Sequence, residues 1–149
     1  MENPILASAP ILAPAAVLVL WSVIILVWMV VTRFSALRKA GLSVSAAKPG
    51  TQYRDVEVTL PAKVNWKSHN YTHLMEQPTL FYAVTIILAL IGEGSGLNLA
   101  LAWAYVLLRV AHSLWQTLVN TLMLRIPLFA LSSLCLMGLA INAVRATLL

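Results

Sequence analysis

Charge is scarce in this chain. Lys and Arg together number 10, and Asp and Glu 5, among 149 residues of which 60% are hydrophobic. A small soluble domain needs far more polar surface than that, so a soluble fold is excluded. Cysteine is nearly absent. The single Cys135 cannot form an intrachain disulfide, and in its apolar run it reads as a small buried residue rather than a catalytic thiol. No Cys or His spacing of a zinc site occurs, so no metal is expected. The N-terminus lacks a basic n-region, and its apolar run over 11–32 is too long for a signal segment. It reads as a retained first helix. No internal repeat is visible.

What charge there is has a pattern. The formal net charge is +5, and seven basic residues (Arg33, Arg38, Lys39, Lys48, Arg54, Lys63, Lys67) lie in one stretch between two apolar runs. They are not interleaved with aromatics on a polar face, so nucleic acid is not the expected partner. The pattern is the positive-inside signature of a cytoplasmic loop. With four crossings, both termini then fall on the non-cytoplasmic side.

The crossings follow from counting. A spanning helix needs about 20 apolar residues. No charge occurs between Glu2 and Arg33, which gives the first helix, with Pro10 and Pro14 near its start where proline is tolerated. Only 16 residues separate Glu76 from Glu93, so the second helix must begin earlier, soon after Pro61. It would carry Asn65, His69 and His73 on its cytoplasmic portion, with Pro78 kinking it or freeing a carbonyl for a neighbour. After the turn at Gly92-Glu93-Gly94-Ser95-Gly96, Arg109 interrupts two uncharged stretches of 15 residues each, 94–108 and 110–124. A loop at Arg109 would leave one span too short and the next too long. A turn near Asn120-Thr121 puts Arg109 inside helix three and Arg125 in the first turns of helix four. The expected architecture is all-α: an integral membrane four-helix bundle in one domain, 1–149, with helices about 11–33, 63–92, 97–119 and 123–147. A basic loop, 34–62, connects the first two. Within it, the alternation from Tyr53 to Leu60 predicts a short extended piece.

The polar residues fall on helix faces. Arg109, His112, Gln116 and Asn120 lie at i, i+3, i+7 and i+11 on helix three. Asn65, His69, His73 and Glu76 lie at i, i+4, i+8 and i+11 on helix two. Counted from Gly94, Glu76 is 18 residues away and Arg109 15, an offset of about 5 Å. An ion pair at one depth is therefore expected, since either charge alone in hydrocarbon costs several kcal/mol. Such a pair either holds helices or subunits together or belongs to a site for a small polar, anionic ligand entering from the cytoplasm. Arg125 either serves that site or snorkels to headgroups. The five tryptophans read as interfacial belt and packing residues.

Two stretches resemble a known family. Asn70-Tyr71-Thr72-His73-Leu74-Met75-Glu76-Gln77-Pro78-Thr79-Leu80-Phe81-Tyr82 is similar to the helix-two motif of the MAPEG family, the membrane-associated proteins in eicosanoid and glutathione metabolism. Tyr105-Val106-Leu107-Leu108-Arg109-Val110-Ala111-His112-Ser113-Leu114 resembles the bacterial form of its arginine-containing helix-three motif, and Leu124-Arg125-Ile126-Pro127-Leu128-Phe129 the start of its fourth helix. The resemblance covers roughly 65–145. It implies a homotrimer, here in a bacterial inner membrane, that binds glutathione as co-substrate between subunits near the cytoplasmic side. It also implies a transferase or peroxidase acting on a lipophilic small molecule, or a non-catalytic trimer of the same fold that binds lipid or a partner. On matching positions, Glu76 would hold the glutathione amino group and Arg109 a carboxylate. His112 and Gln116 stand where relatives carry tyrosines. His69 or Lys67, and His73 or Asn70, would replace an arginine and an asparagine upstream of the glutamate. Arg125 falls one residue from the arginine that favours the thiolate, the catalytic role in the family.

Overall fold

The computed structural model describes residues 9–42 and 49–148. Glu2 and Lys48, used above for topology, lie outside them. Five helices follow in order: α1 (Leu12–Lys39), α2 (Tyr53–Glu57), α3 (Ala62–Leu90), α4 (Gly96–Leu118) and α5 (Leu122–Leu148). No strand occurs among the described residues. Each of α1, α3, α4 and α5 is long and apolar enough to cross a membrane.

Two features depart from the sequence-based expectation, both in the connection between the first two spans. α1 runs on past Arg33 to Lys39. It stops in a Schellman motif: Leu42 N–H donates to the Leu37 carbonyl at 3.0 Å and Gly41 N–H to that of Arg38 at 3.2 Å, with Gly41 at φ +68°. Arg38 and Lys39 in the last turn also suit the negative helix end. At 28 residues α1 is about 42 Å long, more than a hydrocarbon core of about 30 Å, so its basic end projects. The second departure is a correction. The stretch from Tyr53 is a short helix, not an extended piece. Asp55 Oδ2 accepts from the Gln52 backbone N–H at 2.8 Å, a local bond that outweighs the alternating pattern.

The core is formed by one face of each long helix: Ile11, Leu18 and Ile25 meet Leu74, Phe81 and Leu88 from α3, Ala102, Tyr105 and Val106 from α4, and Leu136, Leu139 and Ala143 from α5. α4 and α5 approach closely at Gly138, where a Cβ would stand 3.2 Å from Leu101 Cδ1. The opposite faces are apolar and exposed, as hydrocarbon requires: Leu20 and Val31 on α1, Leu131 and Ile141 on α5. The α3–α4 turn is seated on the start of α1, for a Cβ on Gly94 would lie 3.0 Å from Ile11 Cγ2. The α4–α5 turn rests on Asn120 at φ +58°, a conformation asparagine tolerates better than most residues.

Candidate polar site between α3, α4 and α5

The α4 stripe turns inward. Arg109 is 1% exposed, His112 3% and Gln116 3%, in a segment that would be bathed in lipid on its other side. Arg109 Nη2 donates to the His73 carbonyl at 3.1 Å. That carbonyl is next to the Leu74 carbonyl, which Pro78 deprives of its helical donor. The guanidinium carbon lies 5.9 Å from the Tyr105 ring centroid and 5.7 Å from that of Phe129. Its Nε and Nη1 are buried without hydrogen-bond partners, and so is Gln116 Oε1. A buried guanidinium with one bond made and two nitrogens unmatched is costly in isolation.

The α3 stripe divides. Its N-terminal part is taken up by α2: Asn65 Nδ2 donates to the Glu57 carbonyl at 2.8 Å, and His69 Nε2 pairs with the Glu57 carboxylate. Its membrane part meets α4. The His73 and His112 rings are 5.1 Å apart, tilted by 40°, and Phe129 of α5 lies 5.4 Å from the first and 6.4 Å from the second. The expected Glu76–Arg109 ion pair is not made, which corrects the depth argument. Glu76 Oε2 instead pairs with His73 Nδ1 at 3.0 Å, and its side chain is 63% exposed on the outside of the bundle. The two groups share a depth but not an azimuth: Glu76 sits three residues past His73, beyond the α3–α4 seam.

Asn70 belongs to that seam. Its Nδ2 donates to Ser113 Oγ at 2.7 Å and Thr117 Oγ1 at 2.8 Å, and Trp21 Nε1 of α1 reaches the same Ser113 Oγ at 2.9 Å. Only Asn70 Oδ1 is left without a partner. Arg125 is held at the α4–α5 turn, Nη1 donating to Asn120 Oδ1 at 2.8 Å, with Nε unpartnered.

Beyond Arg125, sequence reasoning missed the contribution of α5. Phe129 is the third ring of the histidine cluster and a face for Arg109. Ser133 Oγ accepts from Gln77 Nε2 at 2.8 Å, and Gln77 Oε1 accepts a long bond of 3.4 Å from the Tyr105 hydroxyl. Arg125, Phe129 and Ser133 recur at i, i+4 and i+8, a stripe that was available in the sequence.

Four apolar helices around a buried arginine, two histidines and a glutamine define a membrane-embedded helical protein with a polar site between its helices. The MAPEG family model matches residues 11–145, nearly the whole chain, and the chain belongs to that family. It is an integral membrane protein of a family concerned with glutathione. No curated protein and no solved structure matches it.

Proposed function

We propose that this chain is a glutathione-dependent membrane transferase or peroxidase acting on lipophilic electrophiles as a homotrimer. Glutathione would enter from the cytoplasmic side, with both chain termini on the other side of a bacterial inner membrane. The observation that carries the reading is the unsatisfied donor capacity of Arg109. A carboxylate of glutathione would accept from the buried donors that Arg109 leaves unused, as a charge-assisted pair. Glu76, exposed on the bundle's outer face, would hold the amino group from the rim or for a neighbouring subunit's ligand. His112, His73 and Gln116 would position the peptide backbone, while Asn70, whose Nδ2 is spent on Ser113 and Thr117, is assigned to the seam and not to the ligand.

Arg125 is the catalytic residue of this reading. A cation beside the sulfur favours the thiolate, which is the nucleophile. In conjugation the sulfur forms a bond to an electrophilic carbon and the leaving group departs with its electron pair. In peroxide reduction the sulfur bonds the terminal peroxide oxygen as the O–O bond breaks, the alcohol leaves after taking up a proton, and a second glutathione thiol displaces water from the sulfenic acid to close the disulfide.

One observation favours a second reading, a non-catalytic trimer that binds lipid or a docking partner. Arg125 is already bonded to Asn120 and braces the α4–α5 turn. Turnover of reduced glutathione with a model aryl halide and with a lipid hydroperoxide, measured on purified protein, separates the two. The first reading expects turnover that Arg109→Ala and Glu76→Ala abolish through lost glutathione affinity. Affinity unchanged in both variants would sink the site assignment. Binding without any turnover would favour the second reading.

A further inference from the structure

A second polar concavity lies at the other end of the bundle. Glu93, Ser95, Gly96, Leu97 and Asn98, from the α3–α4 turn and the first turn of α4, face Asn142, Arg145 and Ala146 of α5 across a cavity of about 580 Å³. It is about 24 Å along α4 from His112, so it is no part of the site above. Its volume lies in the range of small-ligand sites, about 300–1,000 Å³.

Its floor is built, not incidental. Asn142 Nδ2 donates to Asn98 Oδ1 at 2.7 Å, and Asn98 Nδ2 donates to the Glu93 carbonyl at 2.9 Å. That chain ties α5 to α4 and α4 to the turn, and Asn98 is 7% exposed. The two ionic groups that line the cavity are of opposite sign. Glu93 and Arg145 nevertheless make no ion pair with each other or with any other described residue. Both side chains are exposed above that floor, and two opposite charges left unpaired there suit a ligand carrying both. The position selects among such ligands. The cavity opens where α3 and α5 end and α4 begins, at the boundary between hydrocarbon and headgroups, with Leu97 exposed beside it.

We propose that this cavity binds the headgroup of a phospholipid in which a phosphate is joined to a primary ammonium, the chemistry of phosphatidylethanolamine. Arg145 takes the phosphate as a charge-assisted donor, helped by the unpaired backbone N–H groups of the first α4 turn. Glu93 accepts from the ammonium. A choline headgroup has no N–H to give Glu93, and a glycerol headgroup has no positive charge, so both lose half of the match. The inference stands apart from the glutathione reading and requires only that the helices span a membrane.

The test is thermal melting of the full-length protein in detergent, titrated with phosphatidylethanolamine, phosphatidylcholine, phosphatidylglycerol or free phosphoethanolamine. Phosphatidylethanolamine is expected to raise the melting temperature at roughly tenfold lower concentration than the other two lipids. Glu93→Gln should erase its advantage over phosphatidylcholine, and Arg145→Gln should weaken both. Circular dichroism at wild-type intensity shows that each variant is folded. Equal effects of the three lipids would mean that Arg145 merely snorkels to phosphates, and would overturn the proposal. So would a preference that survives both substitutions. A shift by free phosphoethanolamine equal to that of the lipid would overturn the lipid as occupant.

Discussion

His112 and Ser113 are neighbours on α4, yet they look into two different polar regions. On the Ser113 side, α1, α3 and α4 are joined by Trp21, Asn70, Ser113 and Thr117 in a network that leaves only Asn70 Oδ1 wholly without a partner. On the His112 side, Arg109 and Gln116 are as deeply buried but keep three atoms without partners. Polarity inside a membrane helix is common to both. What separates them is satisfaction: a saturated network is structural glue, and an unsaturated one is arranged for something the chain itself does not supply.

Substitutions distinguish the two regions. The largest expected effect is at Arg109. Arg109→Met should cut glutathione affinity by about 3 kcal/mol, more than a hundredfold, because a buried charge partner is lost. It should leave the unliganded stability within about 1 kcal/mol of wild type, since removing an underbonded buried charge offsets the lost bond to the His73 carbonyl. Titration calorimetry and a melting scan check the two halves. Next comes Arg125→Ala, expected to lower kcat roughly a hundredfold, on the scale of removing one electrostatic stabiliser, with glutathione affinity retained. Loss of affinity instead would make Arg125 a binding residue. Asn70→Ala addresses the other region. Stranding Ser113 and Thr117 should cost about 1–3 kcal/mol of stability while the glutathione-induced shift persists. The smallest effect is expected at Tyr105→Phe. Its bond to Gln77 is 3.4 Å long, so removal should cost at most about 0.5 kcal/mol in a denaturation midpoint.

The α4 half of the site was legible because helical spacing and burial agree there. Arg109, His112 and Gln116 repeat at i, i+3 and i+7, and all three are enclosed. The four membrane-length helices were legible for the same reason: charge is so sparse that Glu2, Arg33, Glu76 and Glu93 punctuate the chain. The α3 half was legible only in part. Spacing puts Asn65, His69, His73 and Glu76 on one stripe, but it cannot show that α2 draws the first two away through Glu57. α2 looks extended by the residue alternation over 53–60, and it is the Gln52–Asp55 cap that turns it into a helix. The Glu76–Arg109 pair failed because depth along two helices fixes one coordinate and leaves the rotation about each axis free. Phe129 went unseen because an aromatic on a lipid-rich helix looks like any other apolar residue until its neighbours are placed.

The claim at the centre of this comparison is that the unsaturated face, not the saturated seam, receives the ligand. Its most direct test is the melting temperature of the full-length protein with and without reduced glutathione, for wild type, Asn70→Ala and Arg109→Met. A ligand that binds only the folded state adds about 2.7 kcal/mol at a hundredfold excess over its Kd. A clear upward shift is expected in wild type and Asn70→Ala, and none in Arg109→Met. No shift in wild type at saturating glutathione, or an undiminished shift in Arg109→Met, would contradict it.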